Sequence, residues 1–299
     1  MELLTPTNWP DYEIIDSGDG EKLERFGEMI VARPEPQAIW DKNLSVDEWK
    51  KMAHAYFIQK KSTSGSNPGN ENEKGEWKIK PEVKEQWYID YKYQEMHLRF
   101  RLGFTSFKHV GIFPEQASNW NYIYDTIKGF QEPNLKVLNL FAYTGGASLA
   151  ARSAGAEVTH LDSIKQVVTW ARENMEASGL KDIRWIIDDA VKFVNREGRR
   201  GNIYNGIILD PPAYGRGPEG ERWILDEGIN SLLKACNQIL APTKSFLVLN
   251  LYSIGFSALI AESMVKSNFN IAHPKYGELY ITDKCLRRLP LGVFARFKK

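Results

Sequence analysis

The chain has 299 residues, enough to bury a full core and to make two domains, and its 39 basic and 38 acidic residues leave a formal net charge of +1. That balance excludes a strong overall field toward nucleic acid or membrane, so any RNA affinity must come from a local patch, and no apolar run approaches membrane-spanning length. Two cysteines, Cys236 and Cys285, and a start without a hydrophobic signal segment point to a reduced, cytoplasmic protein; five scattered histidines, with no H-x-x-x-H or C-x-x-C spacing, argue against a metal site.

Residues 1 to about 44 carry short strand-like fragments, Tyr12 to Ile15 and Met29 to Val31, broken by Ser17-Gly18-Asp19-Gly20 and by Pro34 and Pro36. They predict a small β-rich unit. Ser45-x-x-Glu48 has the form of a capping box, and Trp49, Met52, Ala53, Tyr56 and Phe57 follow at helical spacing, predicting one amphipathic helix. From Ser62 to Glu76 there is no apolar side chain, so burial cannot offset the entropy of ordering and the stretch reads as a mobile surface loop.

Strands return from Trp77 to Gly103. In Met96 to Leu102, alternation puts four apolar residues on one face and His97, Arg99 and Arg101 on the other. The basic, aromatic-rich segment Trp77 to Lys108 reads either as a platform for RNA phosphates and bases or as a sheet with a solvated charged face. A link from Phe104 to Gln116 leads to a helix from Trp120 to about Gly129, with Ser118 or Asn119 as candidate cap.

An alternation of strands and helices then begins. Lys136 to Gly146 reads as a buried strand entering a helix through Gly145 and Gly146, a turn that gives backbone N–H groups to a ligand or simply joins two elements. A second strand, Glu157 to Leu161, ends in Asp162, with Ser163 as candidate cap of the next helix; an acid about twenty residues past a glycine turn suits two ribose hydroxyls. Further strands are predicted at Ile183 to Ile187, Gly206 to Asp210, Ser245 to Leu251, around Ile271 and over Leu291 to Phe297, with helices at 163–178, 189–197, 225–240 and 257–267. The pattern predicts an α/β fold with a mainly parallel sheet covered on both faces. Because the turn reads A-Y-T-G-G, no G-x-G-x-x-G dinucleotide cradle is written.

Ligands in such sheets sit outside the carboxyl ends of the strands. After the third strand come Asp188, Asp189 and Ala190, where one acid can meet an adenine amino group and the other cap the helix, with Asp189 preferred as the adenine partner. After the fourth, Asp210-Pro211-Pro212-Ala213-Tyr214 fixes two φ angles, aims a carboxylate and the Pro211 carbonyl into the crevice, and brings Tyr214 to stack on a planar substrate. The loop Ala213 to Trp223 adds Arg216 and Arg222, which either close over a phosphate-bearing substrate or face solvent. Residues 266–299 hold eight basic and two acidic residues, a local +6.

Residues 111–299 resemble the class I S-adenosylmethionine-dependent methyltransferases, and more narrowly the bacterial ribosomal RNA large-subunit methyltransferase group. The resemblance is carried by G-I-F-P-E-Q (Gly111 to Gln116), V-L-N-L-F-A-Y-T-G-G (Val137 to Gly146), Asp162-Ser163 with A-R-E-N-M-E-A-S-G-L (Ala171 to Leu180), and D-P-P-A-Y (Asp210 to Tyr214). It implies a Rossmann-like, seven-stranded domain over 105–299 behind a β-rich domain over 1–104, with S-adenosylmethionine as cofactor and S-adenosylhomocysteine as product. On this resemblance Phe141, Ala142, Tyr143, Thr144, Gly145 and Gly146 face the methionine part, Asp162 and Ser163 the ribose, Asp188, Asp189 and Ala190 the adenine. Asp210, Pro211, Pro212 and Tyr214 face the target group. Arg99, Arg101, Gln116, Arg216 and Arg222 are the candidate contacts to an RNA substrate, most readily ribosomal. Two departures stand: no arginine follows Gln116, and residues 1–104 do not match the usual PUA module. Protein amide or amine methylation and a non-catalytic RNA scaffold are the competing readings. An oligomeric state is not written in the sequence.

Carbon-5 methylation of a pyrimidine needs a cysteine thiolate at the crevice. The stretch after the fifth strand of the run, Leu249-Asn250-Leu251-Tyr252-Ser253, has none. A nitrogen or oxygen acceptor is therefore expected.

Overall fold

The computed structural model describes residues 1–59, 75–252 and 255–299. Ser253, and the expected mobile loop apart from its end at Gly75 and Glu76, lie outside the described residues. In chain order the elements are β1 (Glu2–Leu4), β2 (Tyr12–Gly18), β3 (Glu21–Phe26), β4 (Met29–Pro34), α1 (Val46–Met52), β5 (Ala55–Gln59), β6 (Gly75–Ile79), β7 (Gln86–Tyr93) and β8 (Met96–Gly103). A 3₁₀ turn (Pro114–Gln116) leads to α2 (Ala117–Phe130), β9 (Lys136–Leu140), α3 (Gly146–Ser153), β10 (Glu157–Asp162), α4 (Lys165–Ala177), β11 (Ile183–Ile187), α5 (Ala190–Arg200) and β12 (Gly206–Leu209). The chain continues through β13 (Tyr214–Arg216), β14 (Arg222–Ile224), α6 (Leu225–Ile239), β15 (Phe246–Leu251), α7 (Ala258–Phe269), β16 (Lys275–Thr282) and β17 (Arg288–Lys298).

The large sheet has the order β1-β16-β17-β15-β12-β9-β10-β11. β9 to β12 and β15 run parallel, and β17 is antiparallel to both β15 and β16. Every residue of β12 and β15 is buried, which is why these strands read as unbroken apolar runs: helices cover both faces. On one face Val137, Ile208, Phe246 and Val248 pack with Trp120, Ile123 and Tyr124 of α2, Leu149 of α3 and Met175 of α4. On the other, Leu138, Leu140, Ile207 and Leu247 pack with Phe193 of α5, Leu232 and Leu233 of α6 and Val265 of α7. The chain leaves β9 for β10 on one side and returns after β11 to β12 on the other, so the switch point lies between β9 and β12.

An eighth strand extends the expected seven. β1 pairs in parallel with β16, Leu3 opposite Glu278. The remaining amino-terminal strands form a five-stranded sheet, β2-β3-β4-β5-β6, and a β7–β8 hairpin. Their apolar faces join the α2 side of the large sheet in one core: Tyr12, Phe26, Val31, Ile89 and Phe100 belong to the same cluster as Trp120 and Val137. Polar ties accompany it. Arg287, between β16 and β17, donates to Asp16 at 2.5 Å and to Asp283 at 2.8 Å, and Ser17 donates to Asp283 at 2.8 Å.

Several predicted elements are corrected. The capping box forms, with Glu48 N donating to Ser45 Oγ and Ser45 N to Glu48, but α1 ends at Met52 and Tyr56 and Phe57 belong to β5. Neither Ser118 nor Asn119 caps α2, which starts from Gln116, and Ser163 caps nothing because α4 starts from Ile164. The segment 213–223 contains most of a β13–β14 hairpin rather than an irregular loop, and Ile271 lies in the turn before β16.

Candidate active site

The carboxyl ends of β9, β12 and β15 meet around a cleft of about 50 Å³, which Asp162 at the end of β10 and Asp188 to Ala190 after β11 do not line. The turn after β9 forms one wall. Phe141 and Tyr143 both hold left-handed backbone conformations, φ +55° and +48°, and Gly145 follows at +96°. An aromatic residue in this region costs on the order of 1–3 kcal/mol, and such strain gathers where a backbone is shaped for a ligand. The turn is fastened from three sides. Ala142 N donates to the Leu161 carbonyl, Tyr143 N to Asp162 Oδ2 at 2.9 Å, and Thr144 Oγ1 to the Gly111 carbonyl at 2.7 Å, while Asn174 of α4 donates to the Thr144 carbonyl.

Gly145 and Gly146 line the cleft, but their missing side chains serve packing. A Cβ on Gly146 would come within 2.5 Å of the Trp120 ring, and one on Gly145 within 3.2 Å of Ala171 Cβ. The glycines let α2 and α4 close on the turn. Beneath it lies a buried polar chain: Asn139 Nδ2 donates to Ser148 Oγ at 2.9 Å, and Ser148 Oγ lies 3.0 Å from His160 Nδ1. Burial pulls the His160 imidazole down to about 3, so it is neutral.

Asp162 accepts from Tyr143 N and, through Oδ1, from Ile164 N at 3.0 Å. Burial raises its pKa, opposed by backbone N–H groups of Ile164, Tyr143 and Ser163. Asp189 is the N-cap of α5, its Oδ1 accepting from Lys192 N at 2.8 Å; Asp188 accepts from Asp189 N and is paired with Arg196. The helix-capping member of this pair is therefore Asp189, the residue favoured for the adenine, and Ala190 is buried at the first helical position.

Asp210 lines the opposite wall with Leu209, Val248 and Asn250. Burial raises its carboxyl to about 6 against the hydrogen bond donated by Asn250 Nδ2 to Oδ1 at 2.6 Å. The next residues are held away from the cleft's floor: Trp223 Nε1 donates to the Pro212 carbonyl at 2.8 Å, and its ring packs 5.1 Å from Phe141. Tyr214 opens β13, half-buried and opposite Ile224. Gln116 lines the cleft and accepts from Asn119 Nδ2 at 3.0 Å; Asn119 Oδ1 in turn accepts from the buried Arg296.

Beyond the cleft-lining Phe113 and Gln116 lies buried Glu115, pushed up to about 7 by burial, with Lys22 and Arg33 pulling it down and Asp210 pushing it up. Those bases come from the amino-terminal sheet. Arg33 grips Glu24 through two hydrogen bonds, Lys22 lies 3.4 Å from Glu24 and 3.3 Å from Glu35, and the Tyr252 hydroxyl donates to Glu35 at 3.1 Å. Burial would raise Glu24, but Arg33 and Lys22 hold it at about 2.

Of the arginines named from sequence, none lines the cleft. Arg99 pairs with Asp90 at 3.0 Å and lies over the Tyr88 ring; Arg101 pairs with Glu173 at 2.6 Å and lies 4.4 Å over Trp170. Their positive charge is matched by acids on the same surface. Arg216 and Arg222 face each other across the β13–β14 hairpin, both exposed. Sequence reasoning missed Asn250, Asn139 and Glu115 as site residues. A polar residue inside an apolar strand, like Asn139 in β9 or Asn250 in β15, was the available signal.

Cys236 is buried in α6 and Cys285 is exposed in the β16–β17 turn. Neither lines the cleft. Among the described residues no group of three His, Cys, Asp or Glu side chains is arranged to hold a metal ion, and no helix is long and apolar enough to cross a membrane.

A mainly parallel sheet with this switch point, a strained turn fastened to the acid that ends β10, and a D-P-P exit from β12 define a Rossmann-like methyltransferase fold. The chain belongs to the S-adenosylmethionine-dependent methyltransferase family, whose model matches residues 70–270. A crystal structure of an S-adenosylmethionine-dependent methyltransferase from Agrobacterium tumefaciens overlays with a TM-score of 0.87 at 38% identity, covering 100% of this chain and 93% of that one. A methyltransferase crystallised with S-adenosylhomocysteine overlays with a TM-score of 0.71 over 97% of this chain and 76% of that one; at 16% identity this is a likeness of fold. The ribosomal RNA large subunit methyltransferase K/L of Shewanella frigidimarina is 28% identical over 161 residues, 52% of this chain and 22% of that protein. The chain thus spans about a fifth of the length of the curated relatives it matches first.

Proposed function

We propose that the chain transfers a methyl group from S-adenosylmethionine to a nitrogen of a base in RNA, most directly ribosomal RNA, and that it works in the cytoplasm. The observation that carries methyl transfer is the pairing, around one cleft, of the strained turn Phe141 to Gly146 with the Asp210 carboxylate across it. The names of the ribosomal relatives carry the choice of RNA. The site fits the cofactor through a carboxylate with two oxygens behind the turn for ribose hydroxyls and backbone shaped along the cleft wall.

In this reading the cofactor supplies an electrophilic methyl on a sulfonium. Asp162 accepts the ribose hydroxyls, the turn holds the amino-acid portion, Asp188 to Ala190 border the adenine, and Gln116 meets the substrate from the cleft wall. Asp210 and the Pro211 carbonyl accept N–H bonds from the target, fixing its lone pair in line with the methyl, so that catalysis is orientation plus charge stabilisation. Tyr214 stacks on the base. Arg216, Arg222, Arg99 and Arg101 would meet phosphates, the last two only by exchanging their acidic partners. The test incubates the purified chain with methyl-labelled cofactor and either deproteinised ribosomal RNA or ribosomal proteins. Label in nucleosides after digestion is expected; label only in protein would replace the RNA reading.

A further inference from the structure

Four side-chain amides line the cleft, those of Gln116, Asn119, Asn139 and Asn250. The three asparagines each donate to a neighbouring side chain, whereas Gln116 Nε2 has no acceptor among the described residues and is not sealed from the cleft. Which end of the Gln116 amide faces the cleft is decided far downstream in the chain. Arg296 of β17 pairs opposite Val248 of β15, which puts its side chain on the α2 face of the sheet. There its guanidinium, on a residue only 6% exposed, lies 4.2 Å over the Tyr122 ring and donates through Nη1 to Asn119 Oδ1 at 3.1 Å and to the Ser118 carbonyl at 3.3 Å. A guanidinium only donates, so Asn119 must turn its oxygen to Arg296 and its Nδ2 to Gln116. Gln116 meets that Nδ2 with Oε1, at 3.0 Å, and its own NH2 group is left for the cleft. The one acidic partner of Arg296 among the described residues, Glu2, lies 3.9 Å away. A buried cation with so distant a partner is unfavourable, and an apolar side chain would fill the same space without that penalty. The charge stands at the head of a hydrogen-bond chain that ends in the cleft.

Resting on the methyl-transfer reading above, we propose that Arg296 is a positioning residue: through Asn119 it fixes the polarity of Gln116, so that the cleft presents an N–H donor to an acceptor oxygen of a bound molecule. That oxygen is a carbonyl of the substrate or the carboxylate of the cofactor's amino-acid part, since both accept and neither donates. Without the guanidinium, Asn119 and Gln116 turn over together, each keeping its hydrogen bond to the other. The cleft then shows an oxygen where it had a nitrogen and repels the same ligand atom. The buried charge also polarises the two amides in series, which strengthens the last N–H as a donor. Discrimination follows from the fixed polarity: a group that only donates, such as an ammonium, meets Gln116 hydrogen to hydrogen.

The test inverts the chain of amides without changing its shape. Asn119→Asp still accepts from Arg296 but cannot donate, so Gln116 must give Nε2 to the new carboxylate and turn Oε1 to the cleft. This variant, Arg296→Met and Gln116→Ala are compared with wild type, each checked for folding by thermal melting. Binding of S-adenosylhomocysteine is read by calorimetry, and KM by transfer of labelled methyl to ribosomal RNA, or to ribosomal proteins if those are what wild type labels. Expected for Asn119→Asp is a weakening of at least about 10-fold in one quantity: in KM if the oxygen belongs to the substrate, in the Kd of S-adenosylhomocysteine if it belongs to the cofactor. Arg296→Met should weaken the same quantity, yet add nothing when combined with Gln116→Ala, because Arg296 acts through Gln116. If Asn119→Asp does not fold, Gln116→Glu, which accepts from Asn119 and turns its second oxygen to the cleft, takes its place with the same expectation. A change below about three-fold in every quantity that wild type shows, or an Arg296→Met effect that persists in full beside Gln116→Ala, overturns the role while leaving methyl transfer standing. Wild type that neither binds S-adenosylhomocysteine nor transfers methyl removes the methyl-transfer reading, and this role with it.

Discussion

Asp162 accepts two backbone N–H groups and Asp210 a single carboxamide, and this difference predicts how each responds to change. Asp162→Ala frees Tyr143 N and, on the proposed reading, removes the acceptor for two ribose hydroxyls. With charge-assisted bonds worth about 1.5–3 kcal/mol each, S-adenosylhomocysteine binding should weaken by at least about 100-fold in calorimetry; a loss below ten-fold would remove Asp162 from the ribose. On the proposed reading Asp210 acts as an ionised acceptor, so methyl transfer should fall as pH drops through about 6, and a flat profile from pH 5 to 8 would contradict that role. Glu115, held at about 7, predicts a stability effect of known sign. Its folded pKa lies above the ordinary carboxyl value, so the folded state binds its proton more tightly. Its contribution is most favourable below about pH 4 and is lost as pH rises through 7. Glu115→Gln should therefore stabilise the chain at pH 8 relative to pH 4, by up to about 3 kcal/mol, measurable by urea unfolding at both pH values. Cys285→Ser and Cys236→Ala should each leave the methylation rate within a few-fold in folded protein, since neither thiol reaches the cleft. A trapped covalent RNA adduct would restore a carbon-5 mechanism.

Among elements, the β13–β14 hairpin is the piece that connects the D-P-P exit to α5 and the glycine turn. Lys192 of α5 pairs with Glu219 and Glu221, while Trp223 anchors the base against Phe141 and the Pro212 carbonyl. Trp223→Ala should unhinge the hairpin, destabilise the fold by about 3 kcal/mol and lower cofactor affinity by releasing Phe141; melting and calorimetry report the two effects separately. Unchanged affinity in a folded variant would confine Trp223 to packing. The hairpin was hidden in sequence because its strands have three residues each, and Gly215, Gly217, Pro218 and Gly220 read as loop. The central strands were legible for the opposite reason: burial on both faces writes Ile207-Ile208-Leu209 and Phe246 to Leu251 as apolar runs. Tyr56 and Phe57 misled because a spacing compatible with a helix also continues as the alternation of β5, in which Ala55 and Phe57 are buried. The gathering of Phe141 to Gly146 and Asp210 at one cleft could be read from strand ends, whereas Asp162 and Asp188 to Ala190, read from strand ends as well, do not line it. The pairing of Arg99 with Asp90 and Arg101 with Glu173 could not, since it depends on which strand and helix lie beside β8.

Across the whole molecule, the cleft is bordered by residues of the methyltransferase sheet, yet the charges beside Glu115 come from the amino-terminal strands through Lys22 and Arg33. A core shared by Tyr12, Phe26 and Trp120, together with Arg287 between Asp16 and Asp283, predicts that both parts unfold in one calorimetric transition. Arg287→Ala, which strands two buried carboxylates, should lower that transition by about 3 kcal/mol, and its separation into two steps would show that the parts fold independently. β1 adds a constraint of another kind. Glu2 pairs with Gly277, so β1 finds its place only after β16, far downstream in the chain, has been made. Until then its leucines have no sheet to join, and the closing contact of the sheet is among the most distant in sequence, an order of events that slows the last stage of folding and leaves the edge of β16 exposed in every earlier one.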